Sequence, residues 1–553
     1  MLDVILNTNV ILCTIFLIFI TLFIILKMKK KEQYILILSI ISLIIGIVHF
    51  FLYNFHRLEI TLFYFKQIYI IAILIFIVSF FRDRKKLFIF LCYILLIFSI
   101  LGTFRTIYLM AGADSIHNYS YYGYVKSFSK MIDTFENEYP LNDWKNINYD
   151  YLKNKYIPMV ENAEKNNDKD LFYETVFMFA NEFKDGHVAV SYKNDDAMDK
   201  LNEKYYGKYY GFATIMADND DIIAIMVDEK SDAYQKGLRN GYIITKKDGE
   251  NIKDILENEI CLNIQSYAVN YNEKLSCSTT LFSNGKDSID ISFLNDYGEE
   301  ITINVKSQDE YNLKYYSPEY YLLYSNDTNN LDTKMLTDEI GYININSMNY
   351  DPFWDIINYI FHNNYAKNSL IKKLDQLKKQ GMKKLIIDLR ENSGGFLVNS
   401  FAFASTFLDN TFVFNTKSIG KITGKYDNDS IKGTGEYSDI PIIILVNNNT
   451  ASAADAFTYL LKMNSKVKVV GFMPSNNSCQ ETGGEVYLSH GISVSYPRHK
   501  VEMSNGEVFI DTKKDGIERI KLDIKIPITK DSIMEIFDYA NDYVLDYAIS
   551  IFK

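Results

Sequence analysis

The segment Val446-Asn-Asn-Asn-Thr-Ala-Ser452-Ala-Ala-Asp455 holds the residues best suited to chemistry. An apolar run leads into a polar turn, and a serine flanked by alanines stands where the next helix should begin. Small neighbours let a substrate backbone come close. A helix amino terminus adds unpaired N–H groups and a dipole that favours developing negative charge. That setting suits a nucleophile, and it suits a simple helix N-cap equally well. A second segment, Asp388-Leu-Arg-Glu-Asn-Ser-Gly394-Gly395, ends a strand in paired glycines. Bare backbone amides at such a turn can approach a bound group closely, as an oxyanion hole requires. The turn lacks the GxxxxGK[ST] pattern of a phosphate loop.

Each segment needs a strand and a helix to hold it. Lys384 to Asp388 and Ile442 to Val446 read as buried strands, followed by helices near Val398 to Leu408 and from about Ala451. Ile340 to Ile345 and Val467 to Gly471 read as further strands, with helical text around Ile356 to Lys379 and one more amphipathic helix from Ile533 to Ile551. Strands alternating with helices predict a sheet covered by helices. From Tyr121 to about Lys184, apolar residues recur at threes and fours (Phe128, Met131, Ile132, Phe135; Phe172, Val176, Phe179, Phe183), which predicts a small helical subdomain. Between them, short β-type runs at Ala213 to Met216, Ile222 to Val227 and Tyr242 to Thr245 surround a short helix and glycine turns and predict a compact module.

Taken together these segments resemble the S41 peptidases, the family of carboxyl-terminal processing and tricorn-type proteases. The resemblance rests on the Asp388 to Gly395 and Thr450 to Asp455 segments, on a PDZ-like module at Val227 to Glu250, and on Gly516-Ile-Glu518 through Pro527. It implies Ser452 as nucleophile, with the N–H groups of Ala453 and Gly394, neighboured by Gly395, as oxyanion donors. In the processing proteases a lysine about 25 residues beyond the serine is the base. Here the stretch Gly471 to Gln480 has none, its place falls near Asn477, and Lys462, Lys466 and Lys468 read as a solvated helix end and loop. The tricorn-like branch instead uses a histidine at the end of the helical subdomain and a carboxylate near the carboxyl terminus. Lys184-Asp-Gly-His187-Val and Glu518 match those places, so the resemblance implies a Ser452, His187, Glu518 chain. Gly186 departs from the serine that often precedes that histidine, and His490 and His499 are alternative bases. In the module, Tyr210, Gly211, Phe212 and Ala213 would form a peptide-binding carboxylate loop.

Charge divides the chain unevenly. The first 110 residues carry 11 Lys/Arg against 4 Asp/Glu, net +7, and the remainder 47 against 65, net −18, within a total of −11. So acidic a surface disfavours nucleic acid as a partner. Four apolar runs of some 20 residues, at Ile5 to Leu26, Tyr34 to Phe55, Ile60 to Phe81 and Leu87 to Met110, predict four membrane-crossing helices. Basic loops at Lys27 to Lys31 and Arg82 to Lys86 place both on the cytoplasmic side. Within those runs Lys66, Gln67 and Arg105 read as snorkelling near helix ends, and Cys13 and Cys92 as packing residues. In an oxidising compartment Cys261 and Cys277 are candidates for a bridge, leaving Cys479 single.

The expected fold class is multidomain: an all-α transmembrane region (1–110), then an α/β, crotonase-like S41 protease domain. The latter comprises a linker and helical subdomain ending in the His187 loop (111–205), the PDZ-like module and β extension (206–310), and the catalytic core with its terminal helix (311–553). The expected function is a multi-pass, membrane-anchored serine endopeptidase, facing outward, acting on extracytoplasmic polypeptide and needing no metal or organic cofactor. Its expected partners are a polypeptide substrate and the lipid bilayer, and the residues do not disclose an oligomeric state. A catalytically silent peptide-binding receptor on the same fold is the alternative. A four-helix transporter with a regulatory ectodomain is weaker, because the helices hold few polar residues.

Overall fold

The structure, a computed structural model, describes residues 115–192, 200–201, 204, 208–258, 278, 281–282, 286–308, 330–350, 364–418, 426–511, 519–537 and 541–552. The four apolar runs before residue 111, Cys261, Cys277 and Glu518 lie outside these residues. Among the described residues no helix is long and apolar enough to cross a membrane. The expected fold class is corrected on that point: the described residues contain no all-α transmembrane region.

The described chain begins with strand β1 (Ser115–Asn118) and helices α1 (Tyr124–Glu138), α2 (Asn142–Lys145), α3 (Tyr149–Asn166) and α4 (Lys169–Asn181). Asn148 and Asp168 cap α3 and α4 by accepting from Tyr151 N–H and Leu171 N–H at 2.9 Å. The apolar stripe of α1 (Phe128, Met131, Ile132, Phe135) packs with Phe172, Val176 and Phe179 of α4 in one core. After α4 the chain turns through Lys184, at φ 46°, and enters β2 (Ala189–Tyr192) two residues beyond His187.

The central module contains β3 (Ala213–Met216), β4 (Ile222–Ile225), α5 (Asp232–Gln235), β5 (Ile243–Lys247), β6 (Glu250–Asn251), α6 (Ile252–Asn258), β7 (Ser288–Leu294) and β8 (Glu300–Lys306). Its strands form an antiparallel sheet in the order β3-β4-β5-β7-β8, with β6 paired to β5.

The remainder runs β9 (Asp332–Met335), β10 (Ile340–Asn344), α7 (Tyr365–Lys379), β11 (Lys384–Asp388), α8 (Leu397–Phe407), β12 (Thr411–Ser418), β13 (Tyr426–Lys432), β14 (Ile442–Leu445), α9 (Ala453–Lys462), β15 (Val467–Gly471), β16 (Glu481–Tyr487), β17 (Ile492–Met503), β18 (Ile524–Lys525), α10 (Lys530–Phe537) and α11 (Tyr543–Phe552). The sheet order β18-β15-β14-β11-β10-β9 is parallel except for β9. Alternate side chains of these strands enter different cores. Ile387, Ile444 and Val469 face Leu374, Phe403 and Phe457 of α7, α8 and α9. Ile386, Ile443 and Val470 join a core with Ile223 and Phe293 of the module and Ile533 and Val544 of the terminal helices. Burial on both faces is why β11 and β14 read as unbroken apolar runs.

A third sheet, β1-β16-β17-β12-β13, takes β2 against β17 with Ala189 opposite Ser495. It joins the helical subdomain to the carboxyl-terminal core, since Val486, Val494 and Tyr496 pack with Phe135. The stretch expected as one terminal helix forms two, α10 and α11, with Asp542 accepting from Leu545 N–H at the start of the second.

Candidate active site

Ser452 is placed by the turn between β14 and α9. Asn447 Oδ1 accepts from the N–H groups of Asn449 and Thr450, both at 3.1 Å, and Thr450 Oγ1 donates to Leu389 O at 2.8 Å. The turn is thereby locked to the end of β11. Ser452 stands at the N-cap of α9 with φ 56° and ψ −120°, a backbone state that a side chain rarely adopts, and its hydroxyl makes no capping bond. Oγ lies instead 3.1 Å from His187 Nε2, across 265 residues of sequence. Sequence alone left cap and nucleophile open; in the structure the hydroxyl meets an imidazole nitrogen.

The other face of the imidazole is occupied as well. His187 Nδ1 lies 2.8 Å from Ser478 Oγ, and Ser478 Oγ donates to Asp185 Oδ1 at 3.4 Å. Asp185 is fully buried, accepts from its neighbour His187 N–H at 2.9 Å, and accepts from Tyr139 Oη–H at 2.7 Å. Lys145 Nζ donates to Lys184 O and forms a buried ion pair with Asp511. Burial would by itself raise the Asp185 carboxyl, but His187 and Lys145 hold it well below the ordinary carboxylate range. Burial likewise opposes charge on His187, yet Asp185 outweighs it, helped by Asp511 and Asp455, and the imidazole is raised above its ordinary value. Asp455 and Asp511 are pushed up to about 7, in each case chiefly by burial.

The glycine turn sits against the serine. Gly394 has φ 100°, and a Cβ added there would stand 2.7 Å from Ser452 Cβ and 3.0 Å from Ala453 N. Gly395, at φ 134°, is packed on Asn349. Gly394 N–H donates to Asn392 Oδ1 at 2.9 Å, so that amide is engaged in this state, while Ala453 begins α9, where backbone N–H groups lack intrahelical acceptors. In the module, Tyr210, Gly211, Phe212 and Ala213 are buried, and Gly211, at φ 78°, accepts from Asp228 N–H through its carbonyl.

The remaining candidates fall elsewhere. Asn477, near the expected lysine position, is buried and bonded to Ile520. Lys462 pairs with Asp523, and Lys466 with Asp439. His490 meets the edge of the Tyr124 ring, and His499 lies on β17 opposite Glu481. Asp185, Ser478, Asp455 and Tyr139 were missed as site residues by sequence reasoning. The first three lie within or beside quoted motifs, but nothing in their spacing says that they meet His187.

Residues 339–526 match the profile of peptidase family S41. A probable CtpA-like serine protease of Staphylococcus aureus (strain N315) is 27% identical over 335 residues, covering 60% of this chain and 57% of that protein. A carboxyl-terminal-processing protease of Picosynechococcus sp. (strain ATCC 27264 / PCC 7002 / PR-6) is 31% identical over 182 residues, 32% of this chain and 38% of that one. The chain thus spans a little over half the length of the Staphylococcus relative. Among solved structures, mature CPAF complexed with lactacystin aligns at TM-score 0.49 and 13% identity, covering 78% of this chain and 97% of that chain.

Proposed function

We propose that this chain, whose residues 339–526 match the profile of peptidase family S41, is a serine peptidase that cleaves polypeptides. The observation that carries the reading is the 3.1 Å approach of His187 Nε2 to Ser452 Oγ. Ser452 attacks the scissile carbonyl as His187 takes its proton. The tetrahedral oxyanion settles against the amides of Ala453 and of the Gly394-Gly395 turn, with Gly394 N–H first leaving Asn392. His187 then returns the proton to the leaving amine, and water repeats the sequence on the acyl-enzyme. Proteolytic activity in the relatives' names supports a polypeptide substrate. The antiparallel module, read as PDZ-like, would dock an extended peptide at its Tyr210 to Ala213 loop.

The assignment of Glu518 as the orienting carboxylate stays a sequence expectation, since that residue lies outside the described part. A fluorophosphonate probe tests the whole reading against a silent receptor. Labelling of the full chain that vanishes in Ser452→Ala is expected. A folded chain that never labels, or one that labels as well after Ser452→Ala, sinks it.

A further inference from the structure

The imidazole of His187 touches two hydroxyls, one on each nitrogen, and only one assignment of protons satisfies both contacts. Asp185 is a buried carboxylate held in its ionised form by its neighbours, so it can only accept. The Ser478 hydroxyl therefore gives its single proton to Asp185 Oδ1, at 3.4 Å. Its oxygen is left to accept from His187 Nδ1–H, at 2.8 Å. Nε2 then carries the lone pair and faces Ser452 Oγ at 3.1 Å. The direction of the whole chain follows from the fact that a hydroxyl has one proton and a carboxylate none.

The backbone holds Ser478 to this task. Its carbonyl accepts from Ser452 N–H at 2.8 Å and its N–H donates to Asp455 Oδ2 at 2.9 Å, so residue 478 is fastened at both ends to the first turn of α9. Asp185 is fastened independently by Tyr139 Oη–H and by His187 N–H. The direct separation of His187 Nδ1 from Asp185 Oδ1 is 3.7 Å, too long for a hydrogen bond, and the serine oxygen bridges it.

On the peptidase reading above, we infer that Asp185, acting through the hydroxyl of Ser478, is the group that orients His187 and sets its tautomer. Both are positioning residues: Ser478 carries the effect to the imidazole, and Asp185 supplies the charge. The groups facing the imidazole are Asp185, Asp455 and Asp511, with Lys145 behind Asp185 and Asp511.

The test uses the full chain with ¹⁵N-labelled histidine, its seven imidazoles resolved by comparison with His187→Gln. In the parent, His187 is expected as a single Nδ1–H tautomer. Ser478→Ala and Asp185→Asn should convert it to a mixture, and Asp185→Asn should move the acid limb of fluorophosphonate labelling to lower pH. In both, kcat should fall at least about 10²-fold, the lower end of what a positioned general base contributes, with KM little changed. A merely structural role would not move the tautomer or the limb. If Asp185→Asn fails to fold, Ser478→Ala, which removes one oxygen, decides by the tautomer readout. An unmoved tautomer in Ser478→Ala, or a limb that moves in Glu518→Gln but not in Asp185→Asn, overturns the inference. Labelling that persists in Ser452→Ala would count against the peptidase reading instead. The tautomer measurement needs no turnover and still decides the role of Asp185.

Discussion

Asn477 grips the backbone of Ile520 from both sides: its Oδ1 accepts from Ile520 N–H at 2.6 Å and its Nδ2 donates to Ile520 O at 3.2 Å. The same Nδ2 donates to Ser475 O at 2.9 Å, and the residue holds φ 56°. The place where a processing protease would carry its lysine is thus a clamp on the bend at Ile520 that leads into β18. Asn477→Lys should not create a serine-lysine dyad. It should leave buried backbone groups of Ile520 unpaired, at about 1–3 kcal/mol. A lowered thermal midpoint together with reduced labelling is the expected outcome; restored activity in an Asn477→Lys, His187→Gln double variant would contradict it.

The ionisation of His187 sets activity and stability in opposition. A base must be neutral to accept the serine proton, and the imidazole is raised above its ordinary value of about 6.5. Labelling should therefore fall on the acid side with a midpoint above that value. The raised group stabilises the fold when protonated, a contribution fully present below the unfolded pKa and lost as pH rises through the folded one. Asp455 and Asp511, raised to about 7, act with the same sign. Thermal midpoints should therefore decline through neutrality while labelling rises, and parallel curves would refute the assignment.

Gly394→Ala should abolish labelling. The new methyl would lie 2.7 Å from Ser452 Cβ and 2.9 Å from Ala451 O, at a φ of 100° that side chains rarely adopt. Both effects displace the amide turn from the serine. A loss of about 10²-fold or more, the scale of one oxyanion donor, is expected. Circular dichroism should show the elements retained, and full labelling would place the oxyanion donors elsewhere.

Arg390 ties the active-site strand to the carboxyl terminus. Buried to 1% exposure, it donates to Asp388 from Nε and Nη2 and to both oxygens of Asp542 at 2.7 and 2.8 Å. Arg390→Met leaves the buried Asp388 charge unpaired and should cost about 3–5 kcal/mol. Chemical denaturation reads this directly, and Arg390→Met with Asp388→Asn should recover part of the loss.

Much of this architecture was legible in the residues. Lys384 to Asp388 and Ile442 to Leu445 declared themselves as strands because both their faces are buried, which leaves an unbroken apolar run. Ser452 and Gly394 stood out as candidates because such chemistry needs small residues and tight turns, whereas His187 was named only through the family resemblance. The long β16–β17 hairpin, with its alternating and half-exposed residues, gave no comparable signal. The terminal helix was read through its break, since apolar periodicity continues on both sides of Asp542.

Which residue turns the imidazole was beyond sequence altogether. Ser478 lies 291 positions from His187 and Asp185 only two, yet both reach the same side of one ring. A chain specifies its strands and turns through local propensity and burial, and these act over a few residues. Hydrogen bonds a few ångströms long form only after distant segments have been packed together, and that packing alone chose the partner of Nδ1.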